Sequence, residues 1–114
     1  MAEINLVVEA NERGPWTVLA LEGEIDLYTA PKLKEQISEL VATDRAQLVV
    51  DLSRVEFLDS TGLGVLIGGL KRAREKGGEL ALAGATEPVR KVLSITGLDK
   101  VFPLHDDVDV ATGA

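Results

Sequence analysis

The chain reads as a single small α/β domain: a mixed β-sheet of four to five strands, beginning with an antiparallel hairpin and packed by three to four helices. Three observations carry that reading. Two strand-like runs stand next to each other at the start with a short turn between them, which favours a hairpin. Runs of strand length and runs at helical spacing then alternate to the end, the pattern of strands joined through helices. The 114 residues suffice to bury one core and are too few for two. No repeat, linker or low-complexity segment divides them, so residues 1–114 form one unit with a core over about 3–104 and a tail at 105–114.

Taken in order, Ile4 to Val8 predicts the first strand and NERGP, from Asn11 to Pro15, a turn. Trp16 to Leu21 is the second strand. GEIDLYTA, from Gly23 to Ala30, is read as a loop ending in a helix start, because Pro31 suits a first helical turn. Leu33, Ile37, Leu40 and Val41 recur at helical spacing beyond it. LVVDL, from Leu48 to Leu52, is apolar and β-branched, as in a strand buried on both faces. A glycine-rich helix follows and ends at Gly77 and Gly78 after a basic last turn. Glu79 to Ala83 is a strand, and Thr86, Glu87 and Pro88 open a third helix with Val89, Val92, Leu93 and Ile95 on its apolar face, closed by Gly97. Val101 to Leu104 is the last strand. The tail is expected to form a helical turn capped by Asp106 or Asp107, or to lack fixed structure.

The chain is organised around VEFLDSTGLGVLIGG, from Val55 to Gly69. Asp59 is placed to cap a helix, its carboxylate accepting from free N–H groups of the first turn. Ser60 then becomes the first helical residue, its hydroxyl turned outward. Gly62, Gly64, Gly68 and Gly69 lie inside the helical pattern, where each costs about 1 kcal/mol relative to alanine. Such a cost implies close approach of another backbone, from the fold or from a partner. Leu63, Leu66, Ile67, Leu70 and Ala73 share the core-facing side, and Thr61, Val65, Gly68 and Arg72 the outer one. Val65 beside Ser60 thus marks a shallow surface that a partner could cover.

Composition bounds the function. With 46% hydrophobic and 27% charged residues the chain is that of an ordinary globular protein, and its net charge of −7 disfavours unaided binding to nucleic acid or an anionic membrane. The absence of cysteine removes disulfides, a thiol nucleophile and cysteine metal sites. His105, the only histidine, cannot make a metal site alone, so neither metal nor cofactor is expected. No run reaches membrane-spanning length and MAEINLVVEANE lacks the features of a signal peptide, which makes the cytoplasm the expected location. Lys71, Arg72, Arg74 and Lys76 read as a solvated helix end.

GEIDLYTAPKL, LVVDLSRVEFLDSTGLGVLI and GLDKVFPL together resemble the STAS family, specifically the bacterial anti-sigma factor antagonists. The resemblance spans nearly the whole chain, with a tail that looks shorter and less helical than is usual. It implies a STAS fold and a regulatory switch acting as a monomer. The unphosphorylated form would bind an anti-sigma factor that is also a serine kinase and so free the sigma factor. Phosphorylation, on Ser60 in preference to Thr61, would end the binding, and a separate phosphoserine phosphatase would reset it. Asp59, Ser60, Thr61, Gly62, Gly64 and Val65 become partner-binding positions, and the GEID loop adds Glu24, Asp26 and Thr29. A phosphoryl group brings about 1.5 to 2 negative charges. A helix N-terminus tolerates an anion. The effect is thus expected on the interface, beside Asp59 and Asp26, and not on the fold.

Other readings use the same residues. Asp26 could be a solvated cap, and Gly62 and Gly64 could serve packing alone. A serine hydrolase would need a base and an oxyanion hole, but Ser60 lacks the nucleophile-elbow sequence and the sole histidine lies in the tail. DSTGLG has no P-loop lysine. A phospho-aspartate receiver would use Asp51 but would not begin with a hairpin. Within the fold, the alternative is a non-catalytic scaffold or stressosome-type subunit that assembles with its own copies.

Overall fold

The computed structural model describes residues 6–113. Five strands pair in the order β1-β2-β3-β4-β5, so that each strand lies beside its neighbours in sequence. β1 (Leu6–Arg13) and β2 (Trp16–Ile25) form the antiparallel hairpin, and β3 (Gln47–Leu58), β4 (Glu79–Ala83) and β5 (Leu104–His105) follow in parallel. The crossovers are α1 (Ala30–Ala42), α2 (Ser60–Glu75) and α3 (Glu87–Ile95), the last followed by a 3-10 turn at Leu98–Lys100 and then by α4 (Val108–Thr112) after β5.

The strands alternate between two cores. Leu19, Leu21, Leu48, Val50, Leu52, Leu80 and Leu82 face Leu33, Ile37, Leu66, Leu70, Val89 and Leu93 of the three crossover helices. The opposite residues Val18, Val49, Ala81 and Ala83 meet Ala111 of α4, with Trp16 and Val108 packed at the edge. Leu48–Leu52 is therefore buried on both faces, as its β-branched composition predicts. Asp107 caps α4, accepting from the Val110 N–H at 2.8 Å, so the tail is ordered as a short helix. Arg13 of β1 pairs with Asp109 there.

Four boundaries differ from the sequence expectation. The hairpin turn is only Gly14 and Pro15, since residues 11–13 remain paired with β2; Ile4 lies outside the described residues. β2 runs to Ile25 because β3 carries an extra residue opposite Ala20–Glu22 and another opposite Gly23–Glu24, where Gly23 sits at φ 124°, and pairing resumes at Glu24↔Phe57 and Ile25↔Leu58. β3 is one 12-residue strand that joins LVVDL to the apolar run before Asp59. Val101 and Phe102 are not strand: Phe102 is needed in the core, which shortens β5 to Leu104–His105. Ile95 is 78% exposed, being two residues past Leu93 and so turned off the apolar face of α3.

Candidate functional site

β2 and β3 end in register at Ile25↔Leu58, which places the two segments that follow them side by side. Parallel neighbours lie about 4.8 Å apart. The Asp59 N–H ties the two, donating to the Ile25 carbonyl at 3.1 Å.

After Leu58 the chain turns into α2. Asp59 is extended, at φ −100° and ψ −175°, and its Oδ1 accepts from the Gly62 N–H at 3.0 Å while its carbonyl accepts from Leu63. It is the N-cap that its sequence position predicts. Ser60 is exposed as the first residue of the helix, whereas Thr61 is half-buried.

After Ile25 the chain makes a second acid-capped turn. Asp26 Oδ1 accepts from the Tyr28 and Thr29 N–H groups at 2.9 and 3.0 Å, and the Asp26 N–H donates back to Thr29 Oγ1 at 2.9 Å. That reciprocal pair has the logic of a capping box. The Thr29 hydroxyl also donates to the Glu24 carbonyl at 2.8 Å, and the Ala30 N–H donates to the Asp26 carbonyl at 2.8 Å. Thr29 is only 5% exposed, so its side chain serves its own loop. Leu27 and Tyr28, held between these polar groups, are 62% and 87% exposed. They follow Asp26 as Ser60 and Thr61 follow Asp59.

The four glycines of α2 divide into two kinds. A Cβ on Gly62 would lie 2.6 Å from both Ile25 Cγ2 and Leu58 Cδ1, and one on Gly69 would lie 3.0 Å from Leu80 Cδ1 and 3.1 Å from Ile37 Cγ2. Those two let the helix approach the sheet and α1. A Cβ on Gly64 would meet nothing within 4 Å, and one on Gly68 would meet only the Arg72 guanidinium, at 3.5 Å and beyond. Packing therefore explains Gly62 and Gly69 and leaves Gly64, exposed one turn beyond Ser60, without a role in the fold. Gly64→Ala is expected to stabilise the protein by about 1 kcal/mol through helix propensity. Gly62→Ala should lose about 1–2 kcal/mol, since overpacking against the branched Ile25 exceeds the same gain. Thermal unfolding of the pair checks this, and a stabilising Gly62→Ala would refute the division. Val65 departs from its expected place on the outer face: it is half-buried and packs on the main core.

Residues 7–111 match the family model described as the STAS domain. The chain belongs to the STAS domain family. Among STAS relatives, it is 36% identical over 104 residues to the anti-sigma-B factor antagonist of Listeria monocytogenes, covering 90% of this chain and 91% of that one. It is 32% identical over 105 residues to the anti-sigma F factor antagonist of Paenibacillus polymyxa, covering 91% and 90%. The crystal structure of an anti-sigma factor antagonist from Mycobacterium paratuberculosis superposes with a TM-score of 0.86 at 36% identity, covering 96% and 93%.

Within this STAS domain, Ser60, Thr61, Gly64 and the Asp26–Thr29 turn come together at the C-terminal ends of β2 and β3. Glu24 is exposed on β2, paired with Phe57 on the sheet face opposite the buried Ile25 and Leu58. Gly62 is buried beneath the helix, and Asp59 has one carboxylate oxygen committed to its cap. Leu27 and Tyr28 are not among the site residues to which the sequence motifs point. Their signal is two large apolar residues between an acid and a threonine, where a loop is usually polar. Of the residues outside this end, Arg74 pairs with Glu79 at 2.9 Å and Lys76 with Asp44 at 3.6 Å, while Asp51 Oδ1 accepts from the Ser53 N–H. His105 is half-buried on β5, next to an Asp106 that pairs with Arg90 at 3.4 Å. Among the described residues no helix is long and apolar enough to cross a membrane.

Proposed function

We propose that this STAS domain is an anti-sigma factor antagonist controlled by phosphorylation of Ser60. Unphosphorylated, one chain binds an anti-sigma factor that is also a serine kinase, and so releases the sigma factor. The observation that carries the reading is an exposed serine at the first position of α2, next to a carboxylate already used as the cap. Thr61 is half-buried and the poorer acceptor. In the transfer, a bond forms between Ser60 Oγ and the γ-phosphorus of ATP held by the partner. The bond to ADP breaks, and the hydroxyl proton passes to a base of the partner. A phosphoserine phosphatase returns the hydroxyl by hydrolysis.

The chain's own part is to present and to discriminate. The Asp59 cap and the Asp26 turn fix the hydroxyl on a rigid strand-to-helix junction, so little is spent on ordering it when the partner docks. The names of the curated relatives, anti-sigma F and anti-sigma-B factor antagonists that this chain matches over 90% or more of their length, support the antagonist role. Isolated from its own cells, the protein is expected to carry a phosphoryl group on Ser60 in a fraction that varies with growth condition. Intact mass followed by fragmentation reads this out, and unphosphorylated protein should retain from the same cells a kinase that labels Ser60 with ATP. Complete absence of the modification under every condition would remove the switch and leave an unmodified binding subunit.

A further inference from the structure

We propose that Tyr28, flanked by Leu27, is the anchor by which the Ser60 surface grips its partner kinase, and that Asp26 and Thr29 act only by holding it in place. The inference rests on the reading of Ser60 as the site of partner binding and adds what the partner recognises there. Three observations carry it. First, strand register brings the turn that carries Leu27 and Tyr28 next to the start of α2: Ile25 pairs with Leu58, and the Asp59 N–H closes on the Ile25 carbonyl. Whatever covers Ser60 must meet the neighbouring turn.

Second, two consecutive large apolar side chains are turned into solvent at 62% and 87% exposure, with none of the packing that would explain their size. A single exposed leucine is ordinary. An exposed tyrosine joined to it, on a turn that adjoins a binding surface, is the composition of an interface core, where a ring and its hydroxyl bury together in a partner's pocket. Third, the turn is already rigid. Asp26 Oδ1, Thr29 Oγ1 and the Glu24 carbonyl close it with hydrogen bonds of 2.8–3.0 Å, and Thr29 is buried beneath it. A tyrosine presented on a preorganised turn loses little conformational freedom on binding. The occupant is thus the kinase, because the surface that covers Ser60 continues onto this turn.

The test uses the kinase retained by the unphosphorylated protein, purified, and measures its affinity for five forms of the full chain: wild type, Tyr28→Ala, Tyr28→Phe, Leu27→Ala and Ser60→Asp. Tyr28→Ala is expected to weaken binding about thirtyfold, the size of an interface hot spot. Tyr28→Phe should keep most of the affinity, and Leu27→Ala should lose a smaller share. All three should melt with the wild-type protein, since both side chains stand in solvent. In the phosphorylation reaction Tyr28→Ala should raise KM and leave kcat unchanged, because it removes binding and not chemistry. Wild-type affinity in Tyr28→Ala, while Ser60→Asp loses binding, would overturn the anchor and leave the switch standing. Loss in Tyr28→Ala with Ser60→Asp unaffected would keep the anchor and remove the switch. Self-association of the wild-type chain that Tyr28→Ala abolishes, seen by light scattering, would overturn the proposal by assigning the patch to a second copy.

Discussion

Ser60→Asp is expected to weaken binding to the partner kinase about a hundredfold while leaving the melting temperature within a few degrees of wild type. The two halves of that result have separate causes. An aspartate at the first position of α2 sits at the positive end of a 16-residue helix, where a negative charge contributes about 0.3–1 kcal/mol of stability. That offsets its repulsion from Asp59, which water screens in the free protein. Docking removes the water. Two unit charges about 4 Å apart repel by about 1 kcal/mol in bulk water and about 4 kcal/mol at an effective dielectric near 20. The difference of about 3 kcal/mol appears only on binding and amounts to about two orders of magnitude. A phosphoryl group, with about 1.5 to 2 charges and greater bulk, should act more strongly still. Calorimetry of binding and thermal unfolding of the same preparation check both halves. A Ser60→Asp chain that lost its unfolding transition together with its partner would show that the charge acts on the fold.

The two turns of the site were not equally legible in the sequence. The Asp59 turn is written in consecutive residues: an apolar run, an acid, a serine and a helical pattern, with its capping hydrogen bonds to Gly62 and Leu63 closing inside five residues. The N-cap, the exposed serine and the packing face of α2 follow from that local chemistry. The Asp26 turn depends on where β2 stops, and β2 stops where it does because bulges in β3, the second of them opposite Gly23 and Glu24, let its pairing with that distant strand resume. Read alone, Gly23 resembles a loop glycine, so the whole of GEIDLYTA reads as loop and the exposure of Leu27 and Tyr28 goes unseen. The glycines of α2 illustrate the same limit. Their cost is visible in the sequence, but only the positions of Ile25, Leu58, Leu80 and Ile37 show which two of them the fold requires. At the far edge, Val101 and Phe102 have strand composition and are drawn out of the sheet because Phe102 is needed in the core.

The separation between scaffold and site can be tested from the opposite end of β3. Gly78→Ala is expected to cost about 3 kcal/mol, at the upper end of what overpacking usually costs. A Cβ there would lie 2.1 Å from the Ala46 carbonyl oxygen, 2.5 Å from its carbon and 2.7 Å from the Ala46 Cβ. None of these is the end of a flexible side chain, so relief requires moving backbone. That backbone is not free to move. The Ala46 carbonyl accepts from the Glu79 N–H at 2.9 Å, and the Gly78 N–H donates to the Ala73 carbonyl at 2.8 Å, which together close α2 and start β4 in register with β3. For a domain of this size the loss corresponds to a fall in melting temperature of about 10–20 °C. Binding should respond differently. Ala46 precedes the 12-residue β3 and Ser60 follows it, which separates the clash from the site by about 40 Å of strand. Below its own unfolding transition, Gly78→Ala should bind the partner kinase with nearly wild-type affinity, the inverse of Ser60→Asp. Equal losses of stability and affinity at low temperature would mean that strain at the start of β3 reaches its end, and that the junction at Asp59 is held less rigidly than its hydrogen bonds imply.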